Sequence, residues 1–422
     1  MYTEQEAIQY IKENDVRFIK LFFTDIYGAI KSISIQPSEL ERAFVQGIPI
    51  EAGAMDGLMN FRKSDLFIVP DASTLSVLPW RPQSGRVIRF FCNIRYEDGT
   101  PFEGDTRYLL GTLVDKAIES GYEFTIGTKC EFYLFKCDER GVPVLIPHDD
   151  AGLCDLAPRD KGENVRREIC LTLEQMGVHP ESSHHEAGPG QNEVDFTSSY
   201  VLNAMDNMQT FKVVVKTIAA RNGLFACFLP KPISDKPGNG LHFNISFMKN
   251  EENQLANNVM TDEAKSFISG ILNRMLEITA FLNPIPNSYV RLGNFGAPKY
   301  VSWGCQNWNQ LIRIPFSKAD GARIEIRSPD SACNPYLSAF LILSAGLEGI
   351  SKKSVLPAAT DFDLYNADPD EIKNLAKLPT SLDESLKYAL KGDFIKTVLP
   401  KMLVDFLSGR EFLTKDFEFG EL

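Results

Sequence analysis

An α+β fold in two parts is predicted by three observations. Roughly the first hundred residues carry short β-rich stretches with two helix-sized segments, one leading and one between strands, the pattern of a small β-grasp-like module. Beyond residue 100, long helical segments alternate with short strands toward the C-terminus. Four of those short strands carry polar or charged residues at every second position with apolar residues between them. Because residues i and i+2 of a strand share a face, this describes one sheet with a charged face and a buried back.

The elements follow in order. Thr3 to Asn14 reads as an acidic amphipathic helix, and Val16–Phe23 as a strand. Tyr27-Gly28 turns the chain into Ala29–Ile35, whose alternation suits a half-buried partner strand. Pro37-Ser38 opens a helix to about Gln46, and strands are expected at Leu66–Val69, Leu75–Leu78 and Val87–Ile94. Asp98-Gly99 and Pro101 turn the chain before a helix capped by Asp105. The module is taken as residues 1–103 and the larger part as 104–422. Helices in the larger part are expected at 105–120, 161–176, 200–222, 262–282, 334–350 and 395–408. Stretches bearing Pro and Gly near 140–160, 230–240 and 292–298 read as loops of functional length.

Composition excludes several classes of function. Of 422 residues, 44 are Lys or Arg and 56 are Asp or Glu, a formal charge of −12. Nucleic-acid and anionic-membrane binders need a basic face, so neither partner is expected. The eight cysteines form no C-x-x-C pair, which removes zinc knuckles and dithiol redox sites and suits reduced, mostly buried thiols. The N-terminal segment lacks the basic-then-apolar order of a signal peptide, and no apolar run approaches the roughly 20 residues of a membrane span. A cytoplasmic protein is expected.

The charged strands carry the chemistry. Lys129-Cys130-Glu131 places an ammonium beside a carboxylate, and Glu193-Val194-Asp195 pairs two carboxylates. His242, Asn244 and Ser246 share one face, and Arg323-Ile324-Glu325-Ile326-Arg327 sets a carboxylate between two guanidiniums. One such strand alone is ordinarily a solvated sheet face. Four of them, with His184-His185-Glu186 ahead of the turn Gly188-Pro189-Gly190, point instead to a site. Carboxylates with an imidazole suit Mg²⁺ or Mn²⁺, and arginines suit phosphate or carboxylate substrates.

At these residues the chain resembles the glutamine synthetase family, the bacterial type I form in particular. Lys231 to Ser246, containing Lys-Pro-Ile-Ser-Asp-Lys-Pro-Gly-Asn-Gly before His242, is similar to the family's ATP-binding-region motif. Ser183 to Phe196 resembles its metal-binding hairpin, and Asp155–Asn164, Asn287–Leu292, Arg323–Asp330 and Asn334–Leu337 continue the match. The resemblance covers nearly the whole chain. It implies an N-terminal β-grasp domain and a catalytic domain built on a curved antiparallel sheet backed by helices. It also implies a homo-oligomer, a dodecamer of two rings, with sites formed between neighbouring subunits. The family reaction uses ATP to phosphorylate the γ-carboxylate of glutamate, and ammonia then displaces phosphate. Small-molecule partners, an acidic amino acid and an amine, are therefore implied, with ATP and Mg²⁺ or Mn²⁺ as cofactors.

The resemblance also distributes roles. Glu131, Glu186 and Glu193 stand for the ligands of a first metal, and His242 and Glu325 for two ligands of a second. Arg291 and Arg327 stand where the acid substrate is held, with Gly238 as a backbone contact to its amino group. Glu181, Asn244, Ser246, Arg313 and Arg323 fall where the nucleotide is held. Arg291, Glu51 and Lys129 are the residues expected to bear on catalysis. His184 and His185 are read as structural or supporting residues.

The chain departs from the family at chemistry positions. The family's Glu-x-Glu strand reads Lys129-Cys130-Glu131, so the second metal loses a carboxylate and meets an ammonium. The ammonium-binding Asp-Gly-Ser-Ser segment reads Glu51-Ala52-Gly53-Ala54, where Glu51 can stand in for the aspartate but the hydroxyls are gone. The flap that ends Tyr-Glu-Ala-Pro reads Phe295-Gly296-Ala297-Pro298, and Asn-Arg-Ser reads Asn307-Trp308-Asn309. Three readings follow. The first is an ATP-dependent ligase of glutamate or a similar acid that takes an amine other than ammonia. The second is an impaired homologue with a structural or regulatory role, and the third is an ordinary glutamine synthetase.

Overall fold

The computed structural model of the chain describes residues 2–55, 57–58, 65–81, 84–256, 259–317 and 322–408. Two compact units divide it. One holds residues up to Thr112 together with Cys170–His179, and the other Leu113–Ile169 with the described residues from Pro180 onward.

The first unit opens on α1 (Glu4–Glu13), closed by a reciprocal cap. The Glu6 N–H donates to the Thr3 hydroxyl at 3.3 Å, and the Thr3 N–H to the Glu6 carboxylate at 2.7 Å. β1 (Val16–Thr24) and β2 (Ile30–Ile35) form an antiparallel hairpin. Its turn uses Gly28 at φ +88°, a conformation glycine adopts without strain. α2 (Leu40–Gln46) then crosses to β3 (Ile48–Ile50) and β4 (Leu66–Pro70), followed by β5 (Ser76–Val77) and β6 (Arg86–Arg95). The sheet order is β2-β1-β6-β4-β3, with β5 on β6 and the pair β1–β6 parallel. A parallel central pair flanked by hairpins, with a helix on one face, is the β-grasp arrangement. Phe44 of α2 meets Phe90 of β6 edge-on at 5.8 Å, which seats the helix on the sheet.

The second unit is organised by β7 (Tyr122–Cys137), a 16-residue strand. Around it lie β8 (Pro143–Pro147), β9 (Pro180–His185), β10 (Gln191–Phe196), β11 (Ser199–Tyr200), β12 (Leu224–Cys227) and β13 (Leu241–Lys249). β14 (Glu252–Asn253), β15 (Trp303–Gly304), β16 (Ile312–Arg313) and β17 (Ile324–Ile326) complete the sheet among the described residues. Its main path is β15-β16-β17-β13-β7-β10-β9, and only β15–β16 pair in parallel.

Five of the expected helices are present as α3 (Thr106–Glu119), α4 (Glu163–Gln175), α5 (Val201–Arg221), α6 (Asp262–Leu282) and, after a further short helix α7 (Pro286–Arg291), α8 (Pro335–Ser351). The short α7 was not anticipated, being six residues long and opening on a proline. Leu382–Lys391 was also missed, although Ser381 caps it at the Glu384 N–H. The single helix expected over 395–408 is two, Phe394–Val398 and Lys401–Ser408, because Pro400 cannot continue the first. Helices pack on the apolar face of the sheet. Phe211 of α5 meets Phe132 at 5.9 Å and Phe196 at 5.1 Å, and Phe267 of α6 meets Phe124 at 5.5 Å and Phe247 at 5.0 Å. Those four sheet residues occupy the positions between the charged ones, so the charged residues face away from the helices. No helix among the described residues is long and apolar enough to cross a membrane.

Candidate active site

Register across six strands brings the charged residues into one field. His184 of β9 lies opposite Glu193 of β10, and Glu193 opposite Glu131 of β7. Lys129 lies opposite Asp195 on one side and His242 of β13 on the other. Asn244 faces Glu325 of β17, which in turn faces Arg313 of β16. Directly opposed residues in antiparallel strands point the same way, so a single face carries all of them.

The half of the field around β9 and β10 is acidic. Ligand atoms of His184, Glu186 and Glu193 lie within 4.8 Å of one another, a donor set suited to a hard divalent cation. The His184 Nε2 is 3.0 Å from Glu186 Oε1 and 3.7 Å from Glu193 Oε1. Glu131 turns elsewhere: its Oε2 accepts the Gly240 N–H at 2.7 Å and Gln191 Nε2 at 3.3 Å. Burial, with the nearby Glu186 charge, pushes the Glu131 carboxyl up to about 7. Burial also raises Glu193 well above the usual range, with the carboxylates around it adding to the effect and Lys129 opposing it. Lys129 Nζ sits 2.8 Å from Glu193 Oε1 and 3.5 Å from Asp195 Oδ1.

The other half is basic. The Glu325 oxygens are taken by Arg313 at 3.1 Å and Arg327 at 3.0 Å. Burial opposes ionisation of Glu325, but the hydrogen-bonded His242 and the two guanidiniums hold its carboxyl far below the ordinary value. His242, 3.4 Å from the same carboxylate, is pushed down to about 3 by burial and then by Arg327, so its imidazole is neutral. Trp308 covers this pair of arginines, its ring 3.8 Å from the Arg313 guanidinium and 5.4 Å from that of Arg327. Asn244 Oδ1 is buried here with no hydrogen-bond partner.

Surrounding loops set the geometry. Asn239 donates to Leu229 O at 2.8 Å and Tyr133 to Pro237 O at 2.6 Å, which hold the segment containing Gly238. A Cβ on Gly238 would approach Pro230 O to 2.4 Å and Arg291 Cγ to 2.9 Å, so only glycine fits. Arg291, buried at the end of α7, donates to the carbonyls of Ser328 at 2.9 Å and Arg327 at 3.2 Å. Farther along the sheet, Glu181, Ser246 and Arg323 line a cavity of about 470 Å³ together with Thr125, Phe247 and Asn253. The loop after α7 turns through Phe295 at φ +50° and Gly296 at φ +82°. It is held by Tyr365, whose hydroxyl donates to Ala297 O at 2.6 Å, and by the Lys231 ammonium, 4.2 Å from the Phe295 ring.

Glu51 belongs to the first unit, where it is exposed and precedes the short turn Ala52–Ala54. Of the two histidines expected as structural or supporting residues, His185 is fully buried between Asp149 and the Glu186 carbonyl, whereas His184 joins Glu186 and Glu193 in the donor set. Gln191 and Asp149 went unnoticed as parts of the site. Gln191 Nε2 bridges Glu131, the Gly238 carbonyl at 3.1 Å and Asn239, and only its place in the Gly-Gln-Asn-Glu hairpin hinted at this.

The chain thus combines a β-grasp unit with a helix-backed, curved antiparallel sheet whose open face collects carboxylates, histidines and arginines, the two-unit architecture of an α+β enzyme class. Residues 15–97 match the family described as the glutamine synthetase β-grasp domain, and residues 103–415 its catalytic domain. The chain is 40% identical over 405 residues to glutamine synthetase of Clostridium saccharobutylicum, covering 94% of this chain and 91% of that protein. The figure is also 40%, over 406 residues, for the enzyme of Staphylococcus epidermidis, with the same coverage. This chain belongs to the glutamine synthetase family. Among solved structures it is similar to a GmaS/ADP complex, with a TM-score of 0.85 at 26% identity over 96% of this chain and 95% of that one. It shares the fold of Plasmodium falciparum glutamine synthetase at a TM-score of 0.85 and 22% identity, over 97% of this chain and 95% of that one.

Proposed function

We propose that this chain is an ATP-dependent carbon–nitrogen ligase that phosphorylates the γ-carboxylate of glutamate or a similar acid and joins it to an amine other than ammonia. The observation that carries the reading is the divided sheet face, a trio of one histidine and two glutamates beside a largely buried arginine pair, with a nucleotide-sized cavity on the same sheet. Mg²⁺ or Mn²⁺ would be held by His184, Glu186 and Glu193, with Glu131 beside them, and would offset charge on the phosphate oxygens. Glu181, Ser246 and Arg323 would line the nucleotide, and similarity to a protein solved with ADP supports that placement. Arg327 offers a guanidinium to the acid substrate, Gly238 leaves room for its amino group, and Arg291 braces the backbone between them. Glu51 is the group proposed to take a proton from the incoming amine.

The preference against ammonia rests on Ala52-Gly53-Ala54, which offers no hydroxyl, and on Trp308, an apolar surface over the arginines. Incubation with ATP, Mg²⁺, glutamate and a panel of primary amines, following phosphate release, tests it. Release with at least one alkyl or aryl amine should exceed that with ammonia and should vanish in Glu131→Gln. Ammonia outrunning every amine would make the chain an ordinary glutamine synthetase. The ion pair of Lys129 with Glu193 favours a second reading, an impaired homologue, and absence of phosphate release with any acceptor would establish that one. A cytoplasmic homo-oligomer, a dodecamer of two rings, is the proposed assembly on family resemblance, and sedimentation of the full chain tests its size.

A further inference from the structure

We propose that this chain holds a single divalent cation and that the Lys129 ammonium, tethered to β7, takes the place of a second one. The inference rests on the site reading above but concerns its cation complement. Three observations carry it.

First, the donor atoms able to hold an ion sit on one side of the field only. His184, Glu186 and Glu193 converge within 4.8 Å, and the only other such group among the described residues, Asp149, Asp160 and His185, is spent on internal bonds. There Asp149 holds His185 and the Gly190 N–H, and Asp160 pairs with Arg166 at 2.5 Å.

Second, the opposite side already has its positive charge. Glu325 contributes −1 to this half, while Arg313 and Arg327 contribute +2, a sum of +1 before any ion arrives. Each Glu325 oxygen is within 3.1 Å of a guanidinium, so an ion there would have to share the carboxylate with two fixed positive charges. His242 stands opposite Lys129, whose ammonium adds a third positive charge to the approach. At about 5 Å, a unit charge and a divalent ion repel by several kcal/mol even at an effective dielectric near 20.

Third, Lys129 has the contacts of a bound ion. Its Nζ lies between Glu193 at 2.8 Å and Asp195 at 3.5 Å, and its side chain is largely shielded from solvent. Glu193 is therefore shared: one carboxylate belongs both to the ion-binding trio and to the ammonium. A fixed internal cation would balance those carboxylates without being lost by dissociation.

The test is a count of Mn²⁺ bound to the full-length assembled protein, by electron paramagnetic resonance and calorimetry with the metal alone. One Mn²⁺ per chain is expected in the wild type, and two in Lys129→Glu, which exchanges the ammonium for a carboxylate. Two in the wild type, or none, overturns the proposal. One in Lys129→Glu shows that Lys129 is not what excludes the second ion and overturns it as well. Should Lys129→Glu fail to assemble, Lys129→Met decides. Freed from the ammonium, Glu193 should bind the first Mn²⁺ at least tenfold more tightly, and an unchanged affinity overturns the proposal. Since no substrate is present, a wrong count and a failed ligase assay are separate results.

Discussion

Replacing Asp149 by alanine should unfold the Glu186 hairpin's support and weaken the whole second unit. The carboxylate accepts from His185 Nε2, the Gly190 N–H and the Lys161 N–H, each at 2.9 Å, and more weakly from the Ala151 N–H at 3.4 Å. His185 in turn gives its Nδ1 proton to the Glu186 carbonyl at 2.6 Å, so the imidazole donates from both nitrogens and carries a charge. Asp149→Ala strands one buried imidazolium and the Gly190 and Lys161 backbone donors at a cost of about 1–3 kcal/mol each, the weaker Ala151 contact adding little. Entry of water and loss of the His185 proton recover part of this, leaving a net loss of about 3–5 kcal/mol. Asp149→Asn keeps one acceptor oxygen and should lose about half as much. The assay is urea unfolding at pH 7 read as the change in midpoint at constant slope, with Mn²⁺ affinity measured in parallel. The sign of the pH dependence follows from the shifts. Burial raises the Asp149 carboxyl, but its hydrogen bonds from His185 and the backbone outweigh that and hold it well below the ordinary value. Its contribution is therefore present above about pH 4 and lost as pH falls through the folded-state value. Burial lowers the His185 imidazole, but Asp149 outweighs it and raises it, so that contribution is complete below about pH 6.5 and lost as pH rises through its folded-state value. A loss under about 1 kcal/mol in Asp149→Ala, or a Mn²⁺ affinity equal to that of the wild type, refutes the reasoning.

Three other outcomes are expected. Gly270→Ala places a Cβ 2.2 Å from Ala345 O and 2.7 Å from Gly349 Cα where α6 crosses α8, so it should destabilise by at least about 2 kcal/mol although alanine is the better helix former by about 1 kcal/mol. A melting temperature at or above that of the wild type contradicts this. Asp105, whose carboxyl burial raises to about 6, holds its proton more tightly in the folded state, so the wild type should lose about 3 kcal/mol relative to Asp105→Asn as pH rises from about 4 to about 6. Parallel stability curves for the two proteins would dispose of it. Tyr365→Phe removes the bond to Ala297 O and should speed amide exchange at Phe295–Ala297 with about 1 kcal/mol or less of global destabilisation, as hydrogen-exchange mass spectrometry can read; unchanged exchange at those amides would show that the tyrosine does not hold the loop.

Much of the fold was legible because its signals are local. The period-two charge on β7, β10, β13 and β17 identified the sheet and its working face, and six long periodic or capped segments gave the helices. What escaped were elements too short to show a period, such as β3 and α7, the ten-residue helix Leu382–Lys391, and the break at Pro400 inside an otherwise helical run. In the site, residues whose chemistry is unusual in a strand stood out, as Lys129 did. Asp149 did not, since an aspartate in a loop is common and its partner His185 is distant in the chain.

From the sequence alone came the family resemblance, the composition that argues against nucleic acid, and the sorting of side chains into a charged face and an apolar back. Those properties follow from residue type and strand alternation, which need no knowledge of neighbours. The tertiary structure decided who stands opposite whom. Register put Lys129 between Asp195 and His242 and set Arg313 against Glu325, and packing laid Trp308 over two guanidiniums. Register is set by hydrogen bonds and core packing between segments far apart in sequence, and a slip of one residue would turn every one of these side chains to the other face. A lysine beside a glutamate in one strand is therefore only a departure from a pattern; its role as a cation between two carboxylates exists only in the assembled sheet.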